Sequence, residues 1–250
     1  MAPAVVKSAQ RSFEIFELFD RERRPLPLKT ICARLGYAAS SGSALMKSLV
    51  ALGYLDYDRD QRTYFPTMRI AILGRWVEGA MFGEGHILRL MEDLRDATGQ
   101  AILLATQSDI YAQYVHVLAD EPMRFGAPPG TLRPLAGSSV GLMLRADGEI
   151  EKLCRRINFE AKPANRISVE TVLRTVRQAR EEGYVFAKNA AMAGGSVLAM
   201  LLPRGPFGKR FAIGVGGATT ALEDKLELIL RESRQRIGRL NALMAQQAGA

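Results

Sequence analysis

Histidine, cysteine and tryptophan are scarce here: two, two and one in 250 residues. Cys32 and Cys154 lie far apart and form no C-x-x-C pair, so neither a disulfide framework nor a zinc knuckle fits. His86 and His116 share no ligand spacing with them or with each other, and neither metal nor cofactor is expected. Long apolar runs are missing as well. No stretch reaches the ~18–20 residues that a membrane helix needs. The start, Met1-Ala2-Pro3-Ala4-Val5-Val6-Lys7, lacks the basic-then-apolar order of a secretory leader. These absences lead to the expectation of a cytoplasmic chain with no membrane contact. Internal repeats and low-complexity segments are also lacking. What is there, 48% hydrophobic and 24% charged residues, suits a globular protein with a sizeable core.

The charge is unevenly spread. The formal net charge is +8, and residues 1–80 hold 12 Lys+Arg against 8 Asp+Glu. Residues 81–250 hold 22 against 18, so the first third is about twice as basic per residue. A basic first third makes nucleic acid a natural partner.

The periodicity predicts three helices in that first third. Residues 8–20 carry Phe13, Ile15, Phe16 and Phe19 at helical spacing, with Ser8 as the expected N-cap and a break over Arg21–Pro25. Pro27 suits the first turn of a second helix, whose stripe Leu28, Ile31, Cys32, Leu35 ends at Gly36. A third helix starts with Ser40 or Ser41 as N-cap and buries Leu45, Met46, Leu49 and Leu52 before Gly53. Two short strands, 54–57 and 63–65, follow around the turn 58–62. This is the order of a winged helix-turn-helix, in which the third helix enters the major groove by its N-terminal end.

The remaining residues alternate between the two periods. A helix begins at Pro66-Thr67 and runs to about Val77, and Gly79, Gly83 and Gly85 crowd a joint behind it. A helix over 86–98 leads into a strand pair, 101–106 and 111–117. Helices near 138–146, 149–157 and 168–182 precede strands near 184–188, 196–202 and 210–216, and a last helix begins near Ala221. The expectation is a second α+β domain with a sheet flanked by helices.

One segment suggests a different chemistry. Gly137-Ser138-Ser139-Val140-Gly141 fits G-x-S-x-G, the strand-to-helix elbow of serine hydrolases. The fold that uses it needs a histidine after the serine, and both histidines come before it. No enzyme activity is expected. The run Gly214-Val215-Gly216-Gly217 lacks the Lys-Ser/Thr of a phosphate loop and is read as a strand end and turn.

The chain resembles the IclR family of bacterial transcription regulators. In the first third the resemblance rests on Lys7 to Phe16, Ile31 to Gly36, and Leu45 to Leu55 with Tyr64 and Leu73-Gly74. Further on it rests on Gly130-Thr131-Leu132-Arg133-Pro134-Leu135 through Gly141, and on Gly183-Tyr184 with Gly194 to Leu202. The resemblance implies a DNA-binding head over 1–66, a linker helix over 67–82 and an effector-binding domain of GAF-like fold over 83–250. It also implies double-stranded DNA as partner, with a palindromic operator, a small organic effector, and homodimers that often assemble as homotetramers.

The family usually carries a basic residue at the position of Ala39 and an arginine at that of Ala44. What remains at the helix start is Ser40, Ser41 and Ser43, with Lys47 a turn later. Arg59 and Arg62 in the turn, and Lys7 and Arg11 near the first helix, are the candidates for phosphate contacts. In the second domain the family often has histidine and lysine where Ala136 and Leu142 stand, and glutamate and cysteine where Ala190 and Val197 stand. The candidate effector residues are Leu135, Ser138, Ser139, Leu142, Gly194, Gly195, Ser196 and Val197. Gly137, Gly141, Gly194 and Gly195 are expected to leave room there, and the helix start at Ser138-Ser139 to favour an acid group. Such a set suits an apolar or aromatic acid. Two alternatives stand beside this: that these positions are plain core, and that the chain is a sensor with weakened DNA binding that acts through protein contacts.

Overall fold

The computed structural model describes residues 6–82, 85–119, 127–145, 150–161, 166–192, 194–204 and 208–248. The chain divides into two compact units, Met1–Gly79 and Ala80–Ala250. Each is considered on its own.

The first unit begins with helix α1 (Lys7–Glu22). Val6, in extended backbone, is its N-cap, while the expected cap Ser8 lies inside the helix, where its carbonyl accepts from Ser12 Oγ at 3.0 Å. The helix ends where Arg23 turns left-handed, φ 52°. Leu26–Pro27 then forms a two-residue strand, β1, and Pro27 serves as N-cap of α2 (Leu28–Leu35) rather than as its first residue. Gly36 closes α2 in the left-handed conformation. Helix α3 spans Ala39–Ala51 with Ala38 as N-cap. Neither Ser40 nor Ser41 caps it, because both already sit within its first turn.

Behind α3, strands β2 (Leu55–Asp58) and β3 (Thr63–Pro66) form an antiparallel hairpin. β1 pairs with the other edge of β3, Leu26 opposite Tyr64, so the sheet is three-stranded. Leu26, with no aqueous exposure, thereby ties the chain between α1 and α2 to the hairpin. The core of this unit is Ile15, Leu18, Phe19, Leu26, Ile31, Met46, Leu49, Leu55 and Tyr64. One expectation fails on α3. Leu45 is half-buried and packs against this core, but Leu52 is 58% exposed because the helix ends before it turns inward. Gly42 takes the inner place instead. A Cβ there would run into the Cys32 sulfur, so α3 approaches α2 as closely as a glycine permits.

Helix α4 runs Met68–Phe82, past the expected end at Val77, so Gly79 is helical. Gly83 lies outside the described residues, and Gly85 is the left-handed N-cap of α5 (His86–Thr98).

The second unit is built on a six-stranded antiparallel sheet of β4 (Ala101–Ser108), β5 (Tyr111–Leu118), β6 (Leu132–Pro134), β7 (Val185–Met192), β8 (Gly195–Leu201) and β9 (Phe211–Ala218). Its order is β6-β5-β4-β9-β8-β7. The continuous apolar run of β4 reflects burial on both faces. Leu103 and Ala105 face α6 (Ser139–Leu144), α7 (Ile150–Glu160) and α8 (Val169–Glu182). Ile102 and Leu104 face α5, α9 (Thr219–Asp224) and α10 (Leu226–Ala248). A 3-10 turn, Leu135–Gly137, precedes α6, which is shorter than the helix expected over 138–146. The Gly214–Gly217 run is not a strand end and turn. It lies within β9, and a Cβ at Gly214 would press on Leu103 and Val197 at 2.9 Å. The last helix is two, broken at Lys225, whose ammonium donates to the Thr98 carbonyl at 2.9 Å. No described helix is long and apolar enough to cross a membrane.

These contacts set the stability of the head. Leu49→Ala is expected to cost ~2–5 kcal/mol in chemical denaturation. Gly42→Ala should cost ~1–3 kcal/mol by overpacking against Cys32. Leu52→Ala should change stability by less than ~0.5 kcal/mol.

Candidate functional site

Because Gly42, Met46 and Leu49 face inward, the helical period turns Ser40, Ala44, Lys47 and Ser48 outward. All four are exposed; Ser41 is exposed on the flank and Ser43 half-buried. Ser48, absent from the expected set, shares this face, and its hydroxyl donates to the Ala44 carbonyl at 3.0 Å. The outward face thus offers hydroxyls, one methyl group and one ammonium.

Arg59 and Arg62 are exposed in the loop between β2 and β3. The loop is shaped by Asp58, whose Oδ1 accepts the N–H groups of Asp60 at 2.8 Å and Gln61 at 2.9 Å. Arg62 closes it in the left-handed conformation, φ 54°. Asp56 and Asp60 are exposed in the same hairpin, so its charge is mixed. Lys7 is exposed in the first turn of α1. Arg11 is half-buried, its guanidinium 4.9 Å from the centre of the Tyr37 ring. Burial pushes the Tyr37 phenol up, and its hydrogen bond to the Glu14 carboxylate adds to the effect. Tyr37 thereby fixes the turn between α2 and α3 to α1.

An apolar stripe was not foreseen. Met68, Ile72, Leu73 and Trp76 on α4 are 73%, 65%, 57% and 68% exposed. Spacing i, i+4, i+8 puts three of them in one line. Their spacing is visible in the sequence; only their exposure is not. Of the α1 phenylalanines, Phe13 is 68% exposed, while Phe19 is buried and Phe16 packs edge-on against Tyr54 at 6.4 Å.

In the second unit the expected effector set separates. Leu135, Ser139, Leu142 and Val197 lie on the α6-bearing side of the sheet. Ser196 does not. Strand alternation turns it to the other side with Leu198 and Met200, where its hydroxyl bonds Thr219 Oγ1 at 2.7 Å. The polar groups are also committed to the chain itself. Ser138 caps α6, accepting from the Gly141 N–H at 3.2 Å and donating to the Pro134 carbonyl at 3.2 Å. Ser139 donates to the Val197 carbonyl at 2.6 Å and accepts from the Ala187 N–H at 3.2 Å. The room expected at Gly141 is taken by the Leu135 backbone, which a Cβ would strike. Gly194 is exposed in the turn before β8, and Gly195 is buried. The Ala190 side chain lies outside the described residues. Buried, doubly bonded and preceded by a 3-10 turn, Ser139 also lacks the exposed geometry of a nucleophile elbow.

Arg133, on β6, is a better acid anchor than those hydroxyls. It pairs with Ala112 on β5, on the side that carries Tyr114. Its Nε is buried and has no hydrogen-bond partner among the described residues. Burial pushes the Tyr114 phenol up, while the Arg133 charge and a hydrogen bond from Arg133 draw it down. An exposed arginine is common in such a strand; only the structure shows that this one is drawn inward.

Residues 8–59 match the family model for the IclR helix-turn-helix domain. The HTH-type transcriptional regulator XynR of Escherichia coli (strain K12) is 23% identical over 185 residues, 72% of this chain and 73% of that protein. The effector domain of an IclR transcriptional regulator from Acinetobacter sp. ADP1 is 30% identical; it covers 65% of this chain and 98% of that one, with a TM-score of 0.60. An IclR homologue from Microbacterium hydrocarbonoxydans, solved with 4-hydroxybenzoate, is 20% identical over 94% of this chain and 99% of its own, with a TM-score of 0.58. Head and sheet domain are thus matched both separately and in one chain. The protein belongs to the IclR family, DNA-binding transcriptional regulators with a helix-turn-helix head and a C-terminal mixed α/β domain.

Proposed function

We propose that this regulator grips a palindromic operator as a homodimer, and that a small organic acid bound in the C-terminal domain adjusts the grip. The observation that carries the DNA half is the outward face of α3, where Ser40, Ala44, Lys47 and Ser48 stand exposed. Ser40, Ser41, Ser43 and Lys47 meet the groove. Arg59, Arg62 and Lys7 hold phosphates, and Arg11 orients α1 through Tyr37. Without an arginine on α3, base recognition rests on hydroxyls and on the Ala44 methyl group, and most affinity comes from phosphates.

A second copy of the chain covers the α4 stripe. Four large apolar side chains on one helix form a patch of the sort that marks an interface. In this reading α4 is both linker and dimer contact, and a two-fold pair of heads favours half-sites about one helical turn apart or a multiple of it.

The effector lies on the α6-bearing side of the sheet. Arg133 receives its acid group, since a buried guanidinium nitrogen without a partner gains most from a carboxylate. Leu135, Leu142 and Val197 supply apolar wall, and Ser138 and Ser139 keep that wall in shape. The relative solved with 4-hydroxybenzoate supports this class of ligand.

Three outcomes are expected. In binding titrations over a range of salt, Arg59→Ala and Arg62→Ala should each reduce the log–log slope by ~0.9; two unchanged slopes would remove the hairpin from the interface. Light scattering at micromolar concentration should report a dimer, and Ile72→Glu with Trp76→Glu should yield a folded monomer. A wild-type monomer contradicts the α4 contact. Benzoate or 4-hydroxybenzoate at ~100 times its dissociation constant should add ~2.7 kcal/mol to stability. Arg133→Ala should abolish that gain, and an equal gain in the variant would move the effector elsewhere.

A further inference from the structure

A groove of about 590 Å³ opens between α7 and α8, on the outer side of the helices that cover the sheet. It is lined by Ile150, Glu151, Lys152 and Arg155 from α7, and by Leu173, Val176, Arg177 and Arg180 from α8. The size falls within the range of small-molecule sites. Its floor is apolar: Ile150 and Val176 are buried and Leu173 half-buried. Its rim holds four cations and a single carboxylate.

The sequence explains why these charges converge. On α8, positions 173, 176, 177 and 180 recur at i, i+3, i+4, i+7 and so share one face. That face lies beside the buried stripe of Val172, Val176 and Ala179, and two of its four residues are arginines. Two charged residues near the groove but outside it are paired: Arg156 meets Asp109 at 2.8 Å, and Gln178 holds Glu182 at 2.8 Å. Arg155 and Arg177, by contrast, make no hydrogen bond or ion pair with any described residue. The like charges of Arg155 and Arg177, held along one concave surface, repel one another, and an anion relieves that repulsion.

We infer that the α7–α8 groove binds a small amphipathic anion, a carboxylate or phosphate monoester carried on an apolar body. Arg155 and Arg177 grip the acid group, with Lys152 and Arg180 adding charge at the rim, and Ile150, Leu173 and Val176 receive the body. Glu151 disfavours ligands that carry a second, exposed acid group. None of these residues belongs to the sheet-side effector site, so the groove is a second ligand site on the same domain.

The test is isothermal titration of the full chain with hexanoate, benzoate and inorganic phosphate, each to ~10 mM. The inference predicts that at least one organic acid binds, and more tightly than phosphate. Arg155→Gln with Arg177→Gln should weaken that acid ~10-fold or more, while Arg155→Lys with Arg177→Lys retains most of its affinity. Both positions changed are exposed, and an unaltered melting temperature without ligand identifies folded variants. Arg133→Ala should leave the groove's affinity within about twofold, which separates this site from the sheet-side one. The inference is overturned if none of the three probes binds, if phosphate alone binds, or if the acid survives the glutamine pair and is lost with Arg133→Ala.

Discussion

The close approach of Gly42 to Cys32 is the constraint on which the DNA-binding head depends. It fixes α3 against α2 at van der Waals distance, and a methyl group at residue 42 would have to push the Cys32 sulfur aside. From that contact the rest of the head follows. With Gly42, Met46 and Leu49 turned inward, the period of the helix decides which side chains face out. β1 then clamps the chain before α2 onto the hairpin, so α1, α2, α3 and the hairpin share one core.

The C-terminal domain depends on a comparable thrift of side chains. Gly141 and Gly214 are both places where an added methyl group would meet atoms already in contact, one on the Leu135 backbone, the other between Leu103 and Val197. Serine hydroxyls knit these junctions: Ser139 joins α6 to β7 and β8, and Ser196 joins β8 to α9. The glycine- and serine-rich signatures of this domain are therefore first of all packing and tethering devices. Polar groups with capacity to spare lie elsewhere, at Arg133 beside Tyr114 and at Arg155 and Arg177 between α7 and α8.

Much of the fold was legible because helices and strands announce their period. The runs ending at Gly36 and Gly53 have clear stops, and both glycines adopt a positive φ. Helix starts were less legible. Ser8, Ser40 and Ser41 look like caps, yet Val6 and Ala38 hold those places with extended backbone and no side-chain bond. The two-residue strand at Leu26–Pro27 has no periodicity to announce it and exists only through its partner β3. The site was harder still. Which face of β8 bears Ser196 depends on register, and register is a tertiary property. The outward stripe of α4 was readable as spacing, but its exposure was not, since spacing alone cannot say whether another element covers it.

Ala44 gives the most direct test of the central claim, that the outward face of α3 meets DNA. Its side chain is exposed and packs on nothing in the core, so a change there leaves the head folded. The measurement is the affinity of the full chain for a duplex of its own upstream DNA, for wild type, Ala44→Glu and Ala44→Arg at one fixed salt concentration. The account predicts that the glutamate weakens binding ~10-fold or more by facing phosphates, and that the arginine strengthens it. Equal affinities for all three would contradict the account, because Ala44 would then point away from the DNA.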